Sequence, residues 1–99
     1  MIDIDGIPED VMLARGRYST IRAAHEDEKK SLQILCGKLA ATSAQILRKM
    51  QPDNGAPTEP ADDLLAVCRQ TLIQIEGVAR NIESLAKLKE ETKPIAWPK

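Results

Sequence analysis

The sequence has very few aromatic residues. It contains no phenylalanine, one tryptophan and one tyrosine, and most of its hydrophobic residues are alanine, leucine and isoleucine. Helix-forming residues are common, whereas the large side chains that favour β-strands are scarce. The composition therefore disfavours a β-sandwich or β-barrel and predicts an all-α fold, either a helical bundle or a coiled coil.

Residues that form catalytic or metal sites are also scarce. The two cysteines do not form a CxxC pair, and the single histidine, His25, has no cysteine or histidine beside it. This pattern predicts no metal site, and a histidine among acidic neighbours is expected to be solvated. The sequence has no P-loop, nucleophile elbow or dinucleotide fingerprint. We therefore expect no cofactor, no small-molecule substrate and no enzymatic activity.

The charge and hydropathy of the chain exclude further classes. The net charge of -1 argues against a general polyanion binder, which draws on clustered lysine and arginine. No apolar run approaches the roughly 18 residues of a membrane span. The N-terminus is acidic, whereas a signal peptide starts with basic residues. The sequence therefore predicts one cytosolic domain over residues 1–99, beginning with an acidic arm at 1–7.

The clearest helical pattern lies between Leu64 and Leu88. Apolar residues recur there at intervals of three and four and form one broad stripe: Leu64, Leu65, Cys68, Leu72, Ile75, Val78, Ala79, Ile82, Leu85 and Ala86. Asp62 and Asp63 suit the positive end of a helix, and Pro94 disfavours continuation. The pattern predicts a helix near 61–90 that has ended by residue 91, followed by a tail at 92–99.

A similar spacing runs through the first half of the chain, residues 8–51. It comprises Ile7, Val11, Ala14, Tyr18, Ile21, His25, Glu28, Leu32, Leu35, Leu39, Thr42, Ile46 and Lys49. Pro52 ends this region, and 52–60 is rich in proline with an Asn-Gly turn signal. The two helical regions are predicted to form an antiparallel hairpin in which facing residue numbers sum to about 111.

The two helical regions differ in length. A continuous helix over 8–51 would span about 66 Å, against about 45 Å for 61–90. Either the chain breaks near 16–19, giving a short helix near 8–15 and a second helix over 20–51, or the helix continues and its overhang pairs with another chain. We prefer the break, because Gly16 can end a helix and Ser19 or Thr20 can cap the next one.

The facing rule also positions the two cysteines. Cys36 is expected opposite Ile75 and Cys68 opposite Ser43, about 10 Å apart along the axis. Disulfide formation requires Cα atoms within roughly 7 Å. We therefore predict two buried free thiols.

A second apolar face is predicted outside the helix–helix contact. Small and apolar residues recur at the same height on both helices: Ile34, Gly37, Ala41, Ala44, Ala66, Ile73 and Gly77. One interpretation is a self-association surface that makes a homodimeric four-helix bundle. The alternative is ordinary helix surface, or a seat for residues 8–20.

The function predicted from these patterns is non-catalytic protein–protein interaction, by a small self-associating adaptor, chaperone or inhibitor. Its partners would be a second copy and an unidentified protein, the latter bound through the N-terminal segment and the tail: Val11, Arg15, Tyr18, Arg22, Ile95 and Trp97. Trp97 could be docked on the bundle or free to bind. The alternative is a small DNA-binding regulator that uses a basic stripe of Arg15, Arg17, Arg22 and Lys29.

Overall fold

The protein is an all-α helical hairpin. A computed structural model describes residues 7–51, 55 and 57–98, so most of the predicted acidic arm lies outside the described residues. Helix α1 spans Glu9–Met50 and helix α2 spans Asp62–Ala96. The acidic first turn and basic last turn of α1 complement the helix dipole. The predicted all-α hairpin is thus confirmed.

The predicted break near 16–19 is wrong, because α1 is one continuous helix of 42 residues. No separate helix forms at 8–15, and the second helix does not begin near 20. Thr20 does not cap a new helix; its hydroxyl donates to the carbonyl oxygen of Gly16 at 3.1 Å. A glycine within a helix costs about 1 kcal/mol relative to alanine, which the packing of an apolar stripe can offset.

The predicted end of the second helix near residue 90 is also wrong, because α2 continues to Ala96 and contains Pro94. Proline lacks the N–H that would bond the carbonyl four residues earlier, here that of Glu90. The last turn nevertheless closes, since the N–H of Trp97 donates to the carbonyl of Lys93 at 2.9 Å. Ala96 is fully buried. The longer α2 spans about 52 Å and covers much of the predicted overhang.

The two helices meet along a seam made of alternate three- and four-residue steps, the a and d positions of a heptad repeat. In α1 the seam is the predicted stripe from Val11 to Lys49, and each member is buried or half-buried. Along α2 and the residue that precedes it, the buried or half-buried seam positions are Ala61, Leu64, Cys68, Thr71, Ile75, Val78, Ile82, Leu85, Lys89, Thr92 and Ala96. Leu65 and Leu72, which belong to the predicted stripe, are exposed beside the seam, while Thr71 within it was missed.

Three threonines are among the most buried residues of the seam. Thr71 is 1% exposed, and Thr42 and Thr92 are also buried. The hydroxyls of Thr42 and Thr71 donate to the carbonyls of Lys38 and Val67, at 2.8 and 2.7 Å. A buried hydroxyl costs little when its own helix supplies an acceptor. Threonine can therefore occupy the seam without a partner from the other helix.

The buried hydrophobic side chains of the described residues are three alanines: Ala14, Ala61 and Ala96. Each leucine, isoleucine, valine and methionine in the described ranges keeps part of its surface exposed. A single hairpin covers only one side of each helix, so the leucines, isoleucines and valines of the seam are half-buried, while its buried positions hold alanine or threonine. The hairpin therefore leaves part of the apolar surface of its seam in contact with water.

The residues group into two compact units, which we name by the parts of the chain they contain. The terminal unit contains the described residues up to Lys29 and those from Arg80 onward. The connection unit is Lys30–Ala79. In the connection unit, Lys49 and Glu59 form an ion pair at 3.9 Å, and Gly55 has a φ of 67°, which glycine adopts without strain.

Candidate protein interaction surfaces

The C-terminal end of α2 is held against α1 by a group of contacts that we call the clasp: Arg15, Tyr18, Ala96 and Trp97. The Nε–H of Arg15 donates to the carbonyl oxygen of Ala96 at 2.9 Å. The guanidinium carbon of Arg15 lies 5.5 Å from the ring centroid of Trp97. The rings of Tyr18 and Trp97 meet edge to face, with centroids 5.0 Å apart and an interplanar angle of 87°.

The clasp provides a hydrogen-bond donor to a carbonyl group at the end of α2, and it also packs an aromatic pair. The last carbonyls of a helix have no partner within the helix, and Arg15 supplies a charged donor to one of them. The edge-to-face and cation–π geometries add attraction beyond the apolar area covered. The numbers 15 and 96 also sum to 111, as the predicted register requires. Trp97 is therefore docked within the chain, although 47% of it stays exposed.

A shallow depression of about 220 Å³ adjoins the clasp. It is lined by Tyr18, Ala86, Lys89, Glu90 and Lys93. Lys89 and Lys93 lie one helical turn apart, and Ala86 and the Tyr18 ring provide an apolar base. The depression is wide open to solvent, so it offers no enclosed space that would exclude water from a ligand.

The structure brings together only some of the residues predicted to bind a partner. Arg15, Tyr18 and Trp97 form the clasp. Val11 is half-buried in the seam, while Arg22 and Ile95 are exposed. Of the residues predicted to bind a partner, Arg22, Ile95 and part of Trp97 are therefore left exposed.

The predicted basic stripe makes contacts within the chain. Arg15 is engaged by the Ala96 carbonyl, and Lys29 lies 3.5 Å from the Glu26 carboxylate. Arg17 and Arg22 are exposed. Arg15 thus has an acceptor in the protein itself, while the Lys29–Glu26 pair is exposed and contributes little, so the stripe as a track for phosphates remains a prediction.

The residues predicted for self-association lie on the outside of the hairpin. Ile34 and Ile73 are 71% and 67% exposed, and Gly77 is half-buried. Gly37, Ala41, Ala44 and Ala66 are exposed. Gly37 and Ala44 of α1, and Ala66 and Ile73 of α2, occupy f positions, which point away from the seam. These four f residues thus lie on opposite outer surfaces, whereas Ile34, Ala41 and Gly77 occupy c positions, which share one side of the hairpin. The role of the seven residues in self-association remains a prediction.

Larger apolar side chains are exposed beside the seam, at residues outside the set predicted for self-association. Leu65 and Leu72 of α2 are 41% and 46% exposed, and Leu47 and Met50 of α1 are also exposed. Leu65, Leu72 and Met50 each directly follow a d residue and so occupy e positions. Leu65, Leu72 and Met50 could have been predicted as exposed from the three- and four-residue spacing of the seam, because each directly follows a d position.

The cysteine and histidine environments correct two predictions. Both cysteines are free; Cys68 is half-buried in the seam, but Cys36 is exposed and not buried as predicted. Cys36 occupies an e position, one residue outside the seam. His25 is not solvated as predicted, because it is a half-buried seam residue. Within the described residues, its buried Nδ1 atom has no hydrogen-bond partner.

The described residues contain neither a cluster of metal ligands nor a membrane-spanning stretch. In ranges 7–51 and 57–98 together with Gly55, no three histidine, cysteine or acidic side chains form a group that could hold a metal ion. Neither helix, as far as it is described, contains a stretch with the length and apolarity needed to cross a membrane. No family model, curated protein or solved structure matches the chain.

Proposed function

We propose that this chain is a non-catalytic protein–protein interaction module that self-associates, acting as a small adaptor, chaperone or inhibitor. Its first partner is a second copy of itself, in a homodimeric helical bundle. Its second partner is a different protein, bound through exposed helix surface near the clasp. We place it in the cytosol, where Cys36 and Cys68 would remain reduced. A disulfide-linked form in rapidly alkylated cell extracts would contradict that location.

The observation that supports self-association is the poor burial of large side chains. The buried hydrophobic residues of the described chain are alanines, while leucines and isoleucines on both helices, and methionines on α1, are substantially exposed. Helices gain most of their stability from burying an apolar face. Contiguous exposed apolar surface on a small protein commonly marks a site of association.

The observation that supports a second partner is the partial exposure of the clasp. Trp97 and Ile95 remain 47% and 57% exposed at the end of α2. Tryptophan is among the residues that contribute most to binding at protein interfaces. Because Trp97 is held by Tyr18 and Arg15, binding of a partner at Trp97 would not carry the entropic cost of ordering a flexible tail.

The self-association proposal is tested by the solution mass of the purified protein over a concentration series, measured by light scattering. We expect about twice the mass of one 10.9 kDa chain at high concentration, with dissociation on dilution. A mass of one chain at every concentration would contradict the proposal.

The second-partner proposal is tested by cross-linking in cell extracts. We expect a cross-linked protein that is retained with Gln74→Ala, a surface change in the connection unit, and lost with Trp97→Ala. Equal cross-linking of the two variants would contradict a site near the clasp.

A further inference from the structure

The e positions of the connection unit form an uncharged strip beside the seam. We call it the e face: Cys36, Ser43 and Met50 of α1 with Leu65, Leu72 and Ala79 of α2. All six are exposed except Ala79, which is half-buried. Because the helices are antiparallel, e positions of both helices lie on the same side of the hairpin. They alternate along it, as the facing rule places Leu72 between the levels of Ser43 and Cys36.

An uncharged e face is unusual for a hairpin that stands alone. In a two-stranded coiled coil the e and g positions normally carry charged residues that border the seam. Helices that are apolar at a, d and e instead present the wider face used in larger bundles. The g positions on the other side of the same unit are mostly polar: Ser31, Lys38, Gln45, Val67 and Gln74. The e side of the connection unit is thus suited to contact with another protein surface, whereas its g side is suited to water.

The exposed area is large enough to account for a partner. The chain exposes 7550 Å², whereas a folded monomer of 10.9 kDa exposes roughly 5,600 Å² by the scaling of surface with mass. This excess of about 2,000 Å² belongs to the whole chain, and a standard interface takes roughly 800 Å² from each partner. Burial of the e face against a second copy would remove part of it.

The shape of the e face favours a second copy as the occupant. Helix α2 contributes two large side chains, Leu65 and Leu72. Helix α1 contributes the small Cys36 and Ser43 on either side of the level of Leu72, and the larger Met50 at the end of the strip. In a two-fold arrangement α2 of one copy can lie over α1 of the other. Each Leu72 would then enter the recess above Cys36 and Ser43 of the partner copy, and large would meet small as in well-packed cores.

We propose that a second copy of this chain covers the e face, so that two connection units form a four-helix bundle around Leu65 and Leu72. This inference rests on the proposed self-association and adds the surface that carries it. It differs from self-association through the outward f positions, where Ile73 lies. The strip has no charge to select an acidic or basic partner, and its two halves complement each other.

The test compares Leu72→Glu with Ile73→Glu, by light scattering over a concentration series and circular dichroism to verify helicity. Both variants place the same charge on adjacent residues of α2, and Ile73 is the more exposed in the single chain. We expect Leu72→Glu to raise the dimer dissociation constant by roughly a hundredfold or more. The reason is that two-fold symmetry would bury one introduced carboxylate from each copy in the interface. Ile73→Glu should remain dimeric.

Three results would overturn the assignment of the e face. If Ile73→Glu dissociates the dimer and Leu72→Glu does not, self-association stands but uses the outward positions. If both remain dimeric, self-association stands on another surface. If the wild type is a single chain at every concentration, the proposed self-association fails together with this inference.

A second measurement applies if Leu72→Glu does not fold. In a Cys68→Ser background, the rate of maleimide alkylation of Cys36 is followed at concentrations above and below the dimer midpoint. Cys36 is exposed in the single chain, so alkylation should be fast on dilution and about tenfold or more slower in the dimer, since coverage limits access to the thiol. Equal rates at both concentrations would show that the e face is uncovered in the dimer.

Discussion

The terminal and connection units use the same seam but treat its edge differently. In the terminal unit the e positions of α1 are Arg15, Arg22 and Lys29, and the end of α2 is held by the clasp. In the connection unit the e positions of both helices are uncharged, and Leu65 and Leu72 among them are exposed. The first edge is suited to water and to contacts within the chain, whereas the second is suited to another helix pair. In the account proposed above, the residues beside a seam determine whether a hairpin segment needs a partner.

The largest effect on the terminal unit is expected from Ala96→Asp. Ala96 is fully buried next to Trp97, so a carboxylate there would have to be desolvated or would push the last turn away. We expect a loss of about 2–4 kcal/mol in the stability of the clasp, together with a red shift of the fluorescence of the single tryptophan.

The matched control is Ile95→Asp, which places the same charge on the exposed neighbour. It should leave the fluorescence maximum of Trp97 near that of the wild type. If the two variants show the same fluorescence maximum, Trp97 is not docked by the clasp. The terminal unit would then not differ from the connection unit in the way described above.

A smaller effect of opposite sign is expected from Pro94→Ala. The substitution restores an N–H to donate to the Glu90 carbonyl and removes a ring that crowds the preceding turn. We expect a gain of about 1–2 kcal/mol in the free energy of unfolding, measured by denaturant titration at fixed protein concentration. A loss of stability would mean that Pro94 shapes the last turn for the clasp, and that the clasp depends on the bend.

The smallest effects are expected from Gly16→Ala and Gly37→Ala, one in each unit. A Cβ at either position would meet no atom within 4 Å. Each change should therefore stabilise its helix by about 0.5–1 kcal/mol, measured as a rise in the thermal midpoint. If Gly37→Ala instead weakens the dimer while Gly16→Ala stabilises, a neighbouring helix approaches closely at Gly37, as the small-residue pattern first suggested.

The seam of α1 could be predicted from the sequence because a three- and four-residue spacing is a local property. The clasp could not, since it joins Arg15 and Tyr18 to residues about eighty positions away. Judged locally, Gly16 and Pro94 indicate helix ends, and only tertiary packing makes both helices longer. Leu72 was assigned to the α2 stripe because it is apolar, while Thr71 beside it is the buried residue. Polarity alone cannot distinguish them, since a hydroxyl bonded to its own helix can occupy a seam.

The central claim is that the connection unit, and not the terminal unit, requires a second copy. The most direct test is the solution mass of wild type, Leu72→Glu and Ala96→Asp over one concentration series. We predict that wild type and Ala96→Asp are dimers and that Leu72→Glu is a folded single chain with the tryptophan fluorescence of wild type. A dimeric Leu72→Glu, or a wild type that remains at 10.9 kDa throughout, would contradict the claim.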